Sequence, residues 1–164
     1  MKRAIIYVFT GTGHTLYAAG EIARALDARG IATTVWEVRQ PFSDAPPPNG
    51  FDCVGFGYPV HAFNTPRFML RFVKSLPDSP QVPAFIFKTS GEPFHANDAS
   101  SWPLVRLLRK KGFLPYLDRH LLMPYNIMSV SYTHLDVYKR QFPFLTRDNC
   151  TGTVARAKYM APRV

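Results

Sequence analysis

Cysteine is scarce. Only Cys53 and Cys150 occur in 164 residues, which excludes a disulfide framework, a CxxC redox pair and a four-thiolate metal centre. Charge is sparse too, at 19% against 46% hydrophobic residues, and that balance excludes the composition of a disordered chain. No apolar run reaches the roughly 18 residues a membrane helix needs. The start, Met1-Lys2-Arg3-Ala4-Ile5-Ile6-Tyr7-Val8, turns polar at Thr10 before a secretory segment is complete. The expected location is the cytoplasm, with no membrane contact. What remains is one domain's length of chain, enough to bury roughly 70% of its unfolded surface around a single core.

Acidic residues are outnumbered, eleven to twenty, for a net charge of +9. Such an excess raises the question of nucleic acid. Residues 1–129 hold fourteen basic and nine acidic side chains, and residues 130–164 hold six and two, so the excess is concentrated in the tail. No basic run exceeds the three residues Arg109-Lys110-Lys111, and no recognition-helix or zinc-finger spacing appears, so nucleic acid is not an expected partner.

The elements alternate. Residues 4–9 form a short β-rich apolar run that stops at Thr10-Gly11-Thr12-Gly13-His14-Thr15. Ala19, Ile22, Ala23 and Leu26 then recur at helical spacing until Gly30 closes the segment. Residues 32–38 read as a second strand, and residues 41–50, with Pro46-Pro47-Pro48, as a stiff polar connection. Residues 53–58 read as a third strand whose glycines suggest another backbone packed close against it. Phe68, Phe72, Val73 and Leu76 mark a second helix. Residues 82–87 make a fourth strand ending in Lys88-Thr89-Ser90-Gly91, and a third helix carrying Leu104, Val105 and Leu108 stops at Lys110-Lys111-Gly112. Residues 117–123 are the candidate fifth strand. Strands apolar along their whole length and alternating with helices predict an α/β fold with a parallel sheet covered on both faces. Such sheets bind ligands at the carboxyl ends of their strands, where the loops after strands one, three and four all lie.

The first loop places three hydroxyls and two glycines in six residues, directly ahead of a helix. Glycines let successive amides converge, and the helix N-terminus adds partial positive charge, which together suit a phosphate. A GxxxxGK[ST] lysine and the third glycine of GxGxxG are both missing. A ligand with one terminal phosphate is therefore favoured over triphosphates and dinucleotides.

The run Ile5-Ile6-Tyr7-Val8-Phe9-Thr10-Gly11-Thr12-Gly13-His14-Thr15 resembles the phosphate-binding signature of flavodoxin-like domains, a strand followed by S/T-G-T-G-N-T. Residues 1 to about 128, with Gly55-Phe56-Gly57-Tyr58-Pro59-Val60-His61, Thr89-Ser90-Gly91-Glu92-Pro93 and Met123-Pro124-Tyr125-Asn126, are similar to the bacterial ferrodoxins, in which a flavodoxin-like domain precedes a 4Fe-4S ferredoxin domain. The resemblance implies a doubly wound sheet of strand order 2-1-3-4-5, one non-covalent FMN and electron transfer to a redox partner protein or ferredoxin domain. Its phosphate residues carry over onto Thr10, Gly11, Thr12, Gly13 and Thr15. His14 stands where asparagine is commoner, and would face the phosphate best when protonated. The basic balance is a second departure, since many electron-carrying flavodoxins are acidic.

For the flavin ring, Pro59, Val60, His61, Ala62, Phe63 and Asn64 are candidates for one wall and a backbone donor near N5, and Thr89, Ser90, Gly91 and Glu92 for the pyrimidine edge. Phe63, Phe94 and Trp102 are candidates for stacking, with Trp102 equally suited to the core. His61 and His95 are a whole helix and strand apart, without the third ligand a metal needs, so no metal site is expected. Cys53 reads as a small buried hydrophobe. Arg67 and Arg71, one turn apart, suit a solvated face or the docking of an acidic partner. A flavin carrier needs no catalytic acid or base of its own. Two other functions fit the same loops: an FMN-dependent NAD(P)H:quinone or protoporphyrinogen oxidoreductase, and a non-catalytic phosphate-binding or interaction domain.

Val130-Ser131-Tyr132-Thr133-His134-Leu135-Asp136-Val137-Tyr138-Lys139-Arg140-Gln141 departs from that resemblance. Back-translated, it forms an inverted repeat that resembles two transposon mosaic ends of a sequencing library joined back to back. The expected organisation is a flavodoxin-like domain over residues 1–129, an adapter-derived stretch over 130–141, and a tail of other origin over 142–164. The last helix of a five-stranded doubly wound domain is then missing or replaced. The tail is not the ferredoxin domain, because Thr153 and Arg156 stand where a CxxCxxC run from Cys150 needs thiolates.

Overall fold

The computed structural model describes residues 1–90 and 100–122. Gly91, Glu92, Phe94 and His95, the segment from Met123 to Asn126, the adapter-like stretch and Cys150 with its tail lie outside them. The element order is β1 (Lys2–Val8), α1 (His14–Asp27), β2 (Ile31–Glu37), β3 (Cys53–Pro59), α2 (Arg67–Ser75), β4 (Pro83–Ser90), α3 (Trp102–Lys110) and β5 (Leu114–Leu122). The proline-rich connection after β2 holds two short 3-10 turns, Phe42–Asp44 and Pro48–Gly50. It is tied to β1, because Tyr7 donates its hydroxyl to the Pro46 carbonyl and the Arg3 amide donates to the Asp52 carboxylate. Two boundaries differ from the sequence reading in ways that matter: β4 continues through Thr89 and Ser90, and β5 begins at Leu114 rather than at residue 117. Both strands are extended by ladder bonds to their neighbours, a stabilisation that local composition does not reveal.

All five strands are parallel, in the order β2-β1-β3-β4-β5. The chain winds outward from β1 in one direction to β2 and in the other through β3 to β5. With right-handed crossovers this reversal sends α1 to one sheet face and α2 and α3 to the other. The core divides accordingly. Ala4, Ile6, Val8, Phe85 and Phe87 pack with Ala18, Ala19, Ile22, Ala23 and Leu26 of α1. Ile5, Tyr7, Val54, Phe56 and Ile86 pack with Met69, Phe72 and Val73 of α2 and with Leu104 and Leu108 of α3. α3 starts with Pro103 in its first turn, where the missing N–H has no intrahelical acceptor to lose.

The two β3 glycines are approached by side chains, not by the second backbone that the sequence suggests. Gly55 and Gly57 sit directly opposite Phe85 and Phe87 on β4. The two rings lie across the glycines, so that a Cβ at either position would overlap a ring. Cys53, at the start of the same strand, is buried, its sulfur 3.7 Å from the Tyr116 hydroxyl.

Candidate functional site

Because the strand order reverses between β1 and β3, the helices leaving those strands diverge and open a crevice at the carboxyl edge. The loop after β1 fills one side of it. Gly13 is the residue ahead of α1, in the left-handed region at φ 89°, and no side chain caps this helix end. The Gly13 amide donates to the Thr10 hydroxyl at 3.0 Å, which leaves the Thr10 proton free to point elsewhere. The amides of Gly11, Thr12, His14 and Thr15 have no acceptor among the described residues; the helical ladder begins with Tyr17 N–H to the Gly13 carbonyl. Around Gly11 and Gly13 a Cβ would meet nothing within 4 Å, so the loop faces open space. Orphan amides at an uncapped helix start are the donor set that an anion satisfies.

The side chains of this loop take distinct places. Thr12 is exposed, with its hydroxyl 3.2 Å from His14 Nδ1. Thr15 is buried, and its hydroxyl shares a 2.8 Å hydrogen bond with that of Thr89 at the end of β4. Val60 donates its amide to the Thr89 carbonyl at 2.8 Å. Thr89 therefore ties the first loop to the loop after β3, and three segments separate in sequence become one edge.

The loop after β3 is a tight reversal. His61 and Asn64 exchange backbone hydrogen bonds, at 3.1 and 2.9 Å, and Ala62 and Phe63 between them adopt φ of 47° and 59°. Two non-glycine residues with positive φ are strained, a condition that concentrates at ligand clamps. The turn lifts Phe63 out of the protein, leaving it 82% exposed. Trp102 is 69% exposed, which places it on the surface and not in the core. Pro59 closes β3 opposite Thr89, and Thr89 and Ser90 are strand rather than loop residues.

Several residues that pattern reasoning did not single out complete this edge. Phe9 packs edge-on against His61 and lies against Phe68. Together with Ala62, Asn64, Thr65 and Arg67 they line a cavity of about 440 Å³. Beneath it runs a buried polar chain: Lys88 Nζ donates to Ser101 Oγ at 2.9 Å, Ser101 Oγ meets the Tyr58 hydroxyl at 2.7 Å, and Thr65 Oγ1 lies 3.2 Å from Tyr58 and donates to the Ser100 carbonyl at 2.8 Å. Lys88 also reaches the Asp118 carboxylate at 3.5 Å. The chain welds the β3 loop to the start of α3. Removing its central hydroxyl by Tyr58→Phe leaves Ser101 and Thr65 short of a partner and is expected to cost about 1–2 kcal/mol in urea unfolding. An unchanged midpoint would show that these groups are satisfied without Tyr58. No group of three metal-ligating side chains occurs among the described residues.

No family model matches the chain, and no curated protein matches it. Solved structures do. A flavodoxin from Streptococcus pneumoniae TIGR4 superposes with a TM-score of 0.63 at 15% identity, over 84% of this chain and 93% of that one. Oxidised flavodoxin 1 from Bacillus cereus superposes with a TM-score of 0.62 at 14% identity, over 85% and 93%. A flavodoxin, WrbA-like protein from Agrobacterium tumefaciens does so at 0.59 and 14%, over 85% and 91%. At these identities the likeness establishes the fold, which is flavodoxin-like with strand order 2-1-3-4-5.

Proposed function

We propose that this domain binds one non-covalent FMN and serves as an electron carrier for a redox partner protein or a ferredoxin domain, in the cytoplasm. A single observation carries the reading: the amides of Gly11, Thr12, His14 and Thr15, without acceptors among the described residues, lie at the start of α1 beside the switch point of the sheet. Those amides and the Thr10 and Thr12 hydroxyls hold the terminal phosphate. The exposed Phe63 on its strained turn supplies an aromatic face for the ring, and the Thr89 and Ser90 end of β4 borders the crevice. When bound, the flavin accepts and releases one or two electrons, and the chain tunes that chemistry through hydrogen bonds and charge near the ring. The Thr15–Thr89 and Val60–Thr89 bonds keep the phosphate loop and the ring wall in fixed relation. Carrying electrons places no demand on this chain for a catalytic acid or base.

The test is a fluorescence titration of flavin-free protein. FMN is expected to be quenched at a one-to-one endpoint, and riboflavin, which lacks the phosphate, to bind at least about 100-fold more weakly, since a dianion held by several charge-assisted hydrogen bonds contributes a few kcal/mol. Equal affinity for the two would remove the phosphate from this loop, and absence of quenching by either would remove the flavin.

A further inference from the structure

On α2, Arg67, Arg71 and Lys74 are exposed and follow i, i+4, i+7 spacing, opposite the buried row of Met69, Phe72 and Val73. On α3, Arg106, Arg109 and Lys110 are exposed and lie opposite buried Leu104 and Leu108. The two helices pack side by side on one sheet face. Six cations therefore project from a single surface, and neither helix carries an acidic residue.

Elsewhere four cations are paired, Arg24 with Glu21, Arg39 with Glu37, Lys88 with Asp118 and Lys111 with Asp78, while the Arg3 and Arg29 guanidiniums donate to backbone carbonyls. None of the six outward cations has a carboxylate partner among the described residues. The helix dipole favours Lys74, Arg109 and Lys110 in the last turns of their helices, but it does not account for the cation at the head of α2. Arg67 occupies the first position of α2, where the helix dipole disfavours positive charge. The field begins at the site, because Arg67 lines the cavity beside His61, and exposed Trp102 opens α3 at the same edge.

We infer that the α2–α3 face docks an acidic protein surface, with Trp102 as an aromatic anchor at the site end, so that an electron partner is steered onto the edge where the flavin is proposed to sit. The inference rests on the electron-carrier reading for the partner's redox character. The charge complementarity stands apart from that reading. A protein is favoured over a polyanion because the cations end at two exposed aromatics bordering the crevice, where an electron partner must approach.

The experiment measures binding of the labelled full chain by fluorescence anisotropy, with or without flavin. The probes are an acidic plant-type [2Fe–2S] ferredoxin, basic cytochrome c, a short single-stranded RNA and phosphatidylserine vesicles. At about 20 mM NaCl the ferredoxin is expected to bind at least about tenfold tighter than cytochrome c, and to lose about tenfold by about 200 mM as screening shortens the field. The double variant Arg71→Glu/Lys74→Glu and the separate variant Arg106→Glu/Arg109→Glu/Lys110→Glu are each expected to weaken ferredoxin binding about tenfold, with an unaltered circular dichroism spectrum. Ferredoxin affinity that matches cytochrome c, ignores salt or survives both reversals overturns the proposal, as does tighter binding of RNA or vesicles. Because the readout needs no flavin, its failure is distinct from a failure to bind FMN.

Discussion

Thr12→Glu is expected to weaken FMN binding at least about 30-fold while leaving the thermal midpoint nearly unchanged. Thr12 is exposed and follows Gly11, in the middle of the loop whose amides lack acceptors. A carboxylate there meets the phosphate twice over: it repels the incoming dianion, and it competes for the same N–H groups. Charge pairs at such range are worth about 2–5 kcal/mol, which corresponds to between roughly 30-fold and several thousand-fold in affinity. The fold is indifferent to the change, since the hydroxyl contacts only the neighbouring His14 ring. A negative charge near the start of α1 even favours the helix dipole. Thr12→Ala, which removes one neutral hydrogen bond, is expected to cost about tenfold or less. The pair of variants separates electrostatics from lost contact. Quenching titrations and thermal unfolding of the same preparations provide the check, and a Thr12→Glu protein that binds FMN within about threefold of the parent would move the phosphate elsewhere.

Gly57→Ala is expected to destabilise the protein by about 3 kcal/mol or more, roughly 10 °C in midpoint for a domain of this length. The reason is geometric. Gly57 faces Phe87 across the parallel β3–β4 ladder, and the ring covers the glycine so closely that one methyl group would occupy the same space. Phe87 is fully buried between the sheet and its surroundings, so it has no cheap alternative rotamer. Gly55→Ala meets the Phe85 ring in the same way, with a Cβ 2.5 Å from the nearest ring carbon. Shrinking the ring in the double variant Gly57→Ala/Phe87→Leu is expected to recover about 1 kcal/mol or more relative to additivity, because the two residues share one volume. Urea unfolding of the four proteins of this cycle measures the coupling, and strict additivity would show that the ring is not what the methyl group meets.

The two cases differ in how far they were legible in the residues themselves. The glycines of β3 suggested another backbone packed close, whereas the neighbours are aromatic side chains, because strand register brings residue 57 opposite residue 87. The Gly/Thr loop signalled a phosphate site from six consecutive residues. Which hydroxyl serves the loop and which serves the scaffold was hidden: Thr15 belongs to a bond with Thr89, seventy-four residues away. Composition left Trp102 open between the core and the flavin wall. A tryptophan at the head of an apolar helix suits the core, yet its helix turns Leu104 and Leu108 inward and leaves Trp102 exposed. Lys88 was read only as the end of a strand. It is a buried cation, held by Ser101 and Asp118 from two other elements.

Periodicity and turn chemistry are local properties of a chain, set by the 2-residue and 3.6-residue repeats of side-chain direction and by the few residues that tolerate tight loops. By itself, then, the sequence determined the alternation of strands and helices, the parallel sheet covered on both sides, and the Gly/Thr loop at its carboxyl edge. Only the tertiary structure decided the polar chain from Lys88 to Thr65, the rings laid over Gly55 and Gly57, and the union of α2 and α3 into one cationic face. Each of these joins residues that are distant along the chain, and distance along the chain says nothing about contact until strand order and register bring the partners together.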